Sequence, residues 1–257
     1  MRKGKKLWTL AGTALLSVAL LTACGSDTKN NNTATGAPAH TIQKATKHVG
    51  TDVSFVVGKD GALKEGTDLK DKAIVDVYLD PLCPGCFFFE NSTEELMEEQ
   101  IKSGKVVVRY HPLMFLDANS TDKYSSRASA YLIGVADAAP DLADDFLRAI
   151  FTNHFYPTEE NYRPTSNTDL DNLFKSIGGT EEQVKKVNDN LTKNMKSVYD
   201  KTLLVLKDKE LSAKSPTGQM YTPFVIPNAP GKTDANAISI QGDVNETLKN
   251  AIEKALK

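Results

Sequence analysis

Residues 73–102 read AIVDVYLDPLCPGCFFFENSTEELMEEQIK, and a change of period inside this stretch decides the fold. Ala73–Leu79 is a nearly continuous apolar, β-branched run, the pattern of a strand covered on both faces. Beyond Cys86 the period becomes helical. Phe89, Thr93, Met97 and Ile101 recur every four residues with Leu96 beside them, which predicts a helix to Lys102. Glu98 and Lys102 form an i,i+4 pair, and Gly104 supplies a stop. The junction is Asp80-Pro81-Leu82-Cys83-Pro84-Gly85-Cys86. Pro84 suits the first helical turn, where its missing N–H costs nothing. Cys83 then stands at the helix N-terminus, facing unpaired amides and the positive end of the dipole, where a thiolate is stabilised. A thiolate is both the attacking nucleophile and the better leaving group. Cys86, one turn on, is placed to attack a mixed disulfide, and the spacing allows a reducible Cys83–Cys86 disulfide.

Other uses of the pair compete with redox chemistry. A structural disulfide over two intervening residues closes too small a loop to stabilise much. A zinc site needs about four ligands, and besides the pair the chain beyond Cys24 offers only His40, His48, His111 and His154. Reduced thiols left idle are rare in exported proteins.

Outward from the junction, Val53–Val57, Gly58-Lys59-Asp60-Gly61 and Ala62-Leu63 read as a small hairpin. Lys105–Tyr110 reads as a second strand ended by His111-Pro112. Helical patterns follow at 122–138, 141–155, 168–177 and 180–208. Strands are expected at Pro223–Ile226 and Ala237–Ile240, with a turn at Pro227–Lys232 between them. Asp243 and Glu246 form the N-cap and N3 pair of a closing helix. The order β-α-β, helical block, β-β-α builds one mixed sheet with helices packed on it.

The N-terminus reads as an address. MRKGKK carries four positive charges, and an apolar run from Leu7 to Leu21 follows. That run is shorter than the ~20 residues of a membrane span and fits the pattern of an export signal. Leu21-Thr22-Ala23-Cys24 resembles the lipobox of bacterial lipoproteins, which implies a diacylglycerol on Cys24, cleavage before it and attachment to the membrane. Residues 25–50 are polar and small and read as a tether. The expected domains are therefore a signal peptide at 1–23, a lipidated cysteine and tether at 24–50, and one folded domain at 51–257. Net charge is −2 for the whole chain and −6 without residues 1–23, with a pI near 6.1, which gives no support to nucleic-acid binding.

Cys83-Pro84-Gly85-Cys86 between a strand and a helix resembles the thioredoxin fold. The helical block between Pro112 and Thr222-Pro223, about residues 113–215, is like that of the DsbA branch. Asp76-Val77-Tyr78-Leu79-Asp80 and Tyr124-Ser125-Ser126-Arg127-Ala128 are similar to actinobacterial DsbA-like proteins. This resemblance implies an α/β, thioredoxin-like mixed sheet with an inserted α-helical subdomain. It also implies a cis bond at Thr222-Pro223 against the cysteine pair, with Thr222 offering backbone hydrogen bonds to a substrate chain. The disulfide itself carries the two electrons, so no metal or organic cofactor is expected. Implied partners are exported proteins bearing thiols or disulfides, and a membrane redox partner, either a quinone-linked thiol oxidase or a thiol reductant.

The chain departs from the pattern in places. Leu82 precedes Cys83 where thioredoxins have tryptophan, and Gly85 replaces the histidine of DsbA, removing a cation that could stabilise the thiolate. Val77 stands where thioredoxins bury a carboxylate. Asp76 is one residue off, on the opposite face of an alternating strand, and is kept as a candidate proton relay. Asp80 reads as a turn residue and His111 as structural. Phe87-Phe88-Phe89 read as a helix start packed on the sheet, and Glu94, Glu95, Glu98 and Glu99 as a solvated face. The expected function is a lipid-anchored thiol-disulfide oxidoreductase on the outer face of the cytoplasmic membrane, acting as an oxidase. The alternatives are a reductase or isomerase of the same fold, and a non-catalytic peptide- or metal-binding lipoprotein.

Overall fold

Two strands of seven residues, buried along their whole length, form the centre of the molecule. The computed structural model describes residues 41–152, 155–157 and 163–257. The strands are β3 (Ala73–Leu79) and β4 (Val106–Pro112). They run parallel, in register from Ala73↔Val106 to Leu79↔Pro112. A parallel pair needs a crossover, and α1 (Pro84–Lys102) supplies it. The hairpin of β1 (Phe55–Gly58) and β2 (Gly61–Ala62) adds antiparallel to β4 on one side. On the other side β5 (Phe224–Asn228) pairs antiparallel with β3. The sheet order is β2-β1-β4-β3-β5.

Between β4 and β5 lie α2 (Tyr124–Ala138), α3 (Ala143–Ile150), α4 (Asn167–Ser176), α5 (Glu181–Lys207) and α6 (Lys209–Ala213). The closing helix α7 (Val244–Ala255) starts as expected, with Asp243 accepting from the Glu246 N–H at 3.0 Å. Capping boxes at Ser166/Asp169 and Thr180/Gln183 start α4 and α5. Helix α2 packs so closely on α5 that a Cβ at Gly134 would lie 2.8 Å from Val187. Alternation along β3 sorts its side chains into two cores. Val75, Val77 and Leu79 join the main core with the cysteines and α2, while Tyr78 joins Leu113, Val205, Phe224 and Ile226 behind the sheet. The described residues belong to one compact unit. No described helix is long and apolar enough to cross a membrane.

Several expectations change. Strand β4 does not end at Tyr110, because its pairing with β3 continues through His111 to Pro112. Ala237–Ile240 is not a strand: Ile238 donates one bond to Val225 at 2.9 Å, and no ladder forms. Alternating side chains specify which face is covered, but a strand also needs a run of backbone partners. The tether does not extend to residue 50. The amides of Ile42 and Gln43 donate to Thr51, His48 Nδ1 lies 3.0 Å from the Ala62 carbonyl, and Val49 is fully buried. A polar average over residues 25–50 conceals these anchors. Residues 1–23, Cys24 and the remainder of the tether lie outside the described residues.

Candidate active site

Cys83 occupies the N-cap of α1 with extended backbone (φ −78°, ψ 120°), and Pro84 opens the helix. Its N–H donates to the Asp80 carbonyl at 2.9 Å and its carbonyl accepts from Phe87 at 3.0 Å. The chain therefore leaves β3 through a tight turn that aims the Cys83 sulfur beyond the helix end. Opposite lies the loop before β5, where Thr222-Pro223 is cis. The Cys83 thiol donates to the Thr222 carbonyl at 3.2 Å. A Cβ at Gly85 would lie 3.1 Å from Pro223 Cδ and 3.7 Å from Cys83 Sγ, so the missing side chain lets the loop approach the pair. Four residues that the sequence singled out, Cys83, Cys86, Thr222 and Pro223, thus meet at one place.

The two thiols are free and chemically unlike. Cys86 is fully buried, and Cys83 is 7 % exposed. A hydrogen bond from the Cys86 thiol is the largest influence on Cys83 and pulls it down to about 6, against the cost of burial. The Thr222 side chain and the amides of Gly85 and Cys86 add to the lowering. Burial pushes Cys86 well above the usual thiol value, and its bond to Cys83 pushes the same way. One sulfur is therefore a thiolate at neutral pH and the other holds its proton, which is the division needed between an attacking sulfur and a resolving one.

Asp76 does not meet the cysteines. It leaves β3 on the face opposite Val77 and is buried there, accepting from His111 Nε2 at 2.9 Å and Asn228 Nδ2 at 2.8 Å, with Arg109 at 3.3 Å. Lys201 Nζ donates to His111 Nδ1 and to the Val53 carbonyl, each at 3.0 Å. Tyr78 stacks on the imidazole, with ring centroids 4.0 Å apart. Burial raises Asp76 to about 6 and depresses His111 well below its usual value. Asp76, kept from the sequence as a candidate proton relay, anchors a polar cluster that joins β3, β4, β5 and α5 behind the sheet.

The carboxylate beside the pair is Asp80, the expected turn residue. It is fully buried. Oδ1 accepts from the Leu82 N–H at 2.8 Å and from Ser125 Oγ at 2.6 Å, and Oδ2 accepts from the Leu116 N–H at 2.9 Å. Its own N–H donates to Cys86 Sγ at 3.5 Å. The Leu82 bond was visible in the sequence as a turn; those to Leu116 and Ser125 span 36 and 45 residues and were not. The three phenylalanines also divide. Phe89 is buried, Phe87 packs on Tyr156 at 4.7 Å and Phe88 is 52 % exposed. Among the described residues no cluster of three or more His, Cys, Asp or Glu side chains could hold a metal ion.

A family model described as thioredoxin matches residues 68–212, more than half of the chain. The serine/threonine-protein kinase PknE of Mycobacterium tuberculosis is 33 % identical over 106 residues, covering 40 % of this chain and 19 % of the kinase. The chain thus spans about a fifth of the length of that relative. Among solved structures, MdbA, a thiol-disulfide oxidoreductase from Actinomyces oris, superposes with a TM-score of 0.58 at 19 % identity, covering 81 % of this chain and 90 % of MdbA. DsbA from Mycobacterium tuberculosis gives 0.55 at 21 % identity, covering 79 % and 98 %. These likenesses show a shared fold, including a helical block between the sheet's two halves here. With the family match running from before β3 into α6, the chain belongs to the thioredoxin family.

Proposed function

We propose that the protein is a thiol-disulfide oxidoreductase that oxidises exported proteins through Cys83 and Cys86. The observation that carries this reading is the contrast between the acidic Cys83 and the buried, protonated Cys86 at the cis Thr222-Pro223 loop. In the oxidised enzyme, a substrate thiolate attacks Cys83 Sγ and the Cys83–Cys86 bond breaks. Cys86 leaves with the bonding pair and takes up a proton. A second substrate thiolate then attacks the substrate sulfur of the mixed disulfide, forming the substrate disulfide and releasing Cys83 as thiolate. Two electrons pass from substrate to enzyme, so no further cofactor enters the step. Thr222, in the cis loop opposite Cys83, offers backbone groups to an extended substrate segment. A stable Cys83 thiolate favours the reduced enzyme and so makes its disulfide oxidising. A membrane thiol oxidase linked to quinones would take the two electrons from the reduced pair and restore the Cys83–Cys86 disulfide. MdbA and the M. tuberculosis DsbA, which share the fold, support the same chemistry. The lipobox-like Leu21–Cys24 supports attachment through lipid to the outer face of the cytoplasmic membrane.

Cys86→Ser provides the test. Mixed disulfides between Cys83 and exported proteins should accumulate under oxidising conditions; their absence overturns the enzymatic reading in favour of a binding module. The direction is tested by the reduction potential of the pair, expected above the roughly −270 mV of thioredoxin. A lower value assigns the protein to the reductases. Cys24→Ser should release the protein from the membrane fraction, and retention would remove the lipid anchor.

A further inference from the structure

Asp80 touches both the cysteine pair and the helical insertion. Its backbone accepts from Cys83 N–H and donates to Cys86 Sγ, while its carboxylate holds the turn at Leu82, the loop at Leu116 and the hydroxyl of Ser125 in the first turn of α2. Tyr156, which follows α3 in the insertion, donates to the Leu82 carbonyl at 2.7 Å, so the same turn is gripped from two sides. We propose that Ser125 sets the protonation of Asp80 and that Asp80, as a positioning residue, thereby sets the reactivity of the cysteine pair. The insertion would then act on the exchange chemistry as well as cover it.

The physical basis is the balance on one buried carboxylate. Burial raises Asp80 to about 6, and the Ser125 hydroxyl is the largest influence holding it down, followed by the Leu116 and Leu82 amides. Titratable groups face it from both packed elements: Cys83 and Cys86 from α1, and Tyr124 from α2. Each becomes negative when it ionises, so each opposes the Asp80 anion and is opposed by it. Removing the hydroxyl leaves two neutral amide donors and favours the protonated carboxyl. Near neutral pH the pair then loses a negative neighbour, and the Cys83 thiolate forms more readily.

The inference rests on Cys83 and Cys86 being the exchanging pair, but its test is read without any substrate. In the reduced protein the Asp80 carboxyl is titrated by carbon NMR, and the Cys83 thiolate by the pH dependence of alkylation. Ser125→Ala should move the Asp80 midpoint upward and the Cys83 midpoint downward, and Ser125→Thr, which keeps the hydroxyl, should restore both. In an Asp80→Asn background Ser125→Ala should leave Cys83 unmoved. An unchanged Asp80 midpoint in Ser125→Ala overturns the proposal, as does an equal Cys83 shift with and without Asp80. The first readout needs no change at Asp80, so it stands even if Asp80→Asn fails to fold. Failure of Cys86→Ser to trap clients would strike the oxidoreductase reading and leave this coupling intact.

Discussion

Four positions along the chain separate the two carboxylates that the sequence offered. Asp76 points behind the sheet into the His111 and Lys201 cluster, whereas Asp80, beyond the last residue of β3, turns back beneath Cys86. A third acid, the half-buried Glu90, has its own consequence. Glu90, one turn after Cys86, has a buried Oε1 with no hydrogen-bond partner among the described residues, and burial together with Asp144 raises it to about 8, although Arg148 opposes this. The folded state therefore holds a proton that the unfolded chain releases near 4.5. Stability is full below that value, falls as pH rises towards 8 and levels off above it. Glu90→Gln removes the slope. Its melting temperature should match that of the wild type at pH 4 and exceed it by a few degrees at pH 8, as measured by calorimetry. A Gln variant no more stable at pH 8 would show that Glu90 is ionised and paired.

At the scale of elements, the site is the meeting of the α1 N-terminus with the loop before β5. Gly85 regulates that approach. Gly85→Ala puts a Cβ 3.1 Å from Pro223 Cδ, so the loop must retreat by a few tenths of an ångström. Exchange with peptide disulfides should slow by roughly three- to tenfold, short of the ~100-fold that a 1 Å misplacement can cost. Exchange with a small disulfide such as oxidised glutathione, which needs little of the loop, should change less, as stopped-flow kinetics would show. An equal loss with both substrates would place the effect on the sulfurs themselves. Local patterns defined most elements, including β3 and the capped start of α7. They misjudged Ala237–Ile240, where the alternation is present but β5 offers a single backbone bond.

Over the whole molecule, the insertion is held by polar ties as well as by its core. Arg127 on α2 donates to Asp122 at 2.6 Å and Asn167 at 2.8 Å, and also to the Thr165 carbonyl, linking α2 to the start of α4. Arg127→Ala should destabilise the protein by about 2–3 kcal/mol, the range for losing a charge-assisted hydrogen bond in a partly buried site. Urea denaturation would register the loss, and a change under about 0.5 kcal/mol would show these bonds to be replaceable by water. The sequence by itself determined the strand–cysteine–helix junction, the nucleophile at the helix N-terminus, the helical block, and the order of elements except for the strand expected at Ala237–Ile240. Each follows from periodicity, capping or the stereochemistry of neighbouring residues. Only the tertiary structure decided that residues 41–50 pack on the domain, that Phe88 is exposed while Phe89 is buried, and that Asp80 rather than Asp76 serves the cysteine side of the sheet. The physical reason is distance along the chain. The partners of Asp80 at Leu116 and Ser125, and of Cys83 at Thr222, lie 36, 45 and 139 residues away. No local period records such a pairing, because it exists only once the sheet and insertion have closed around it.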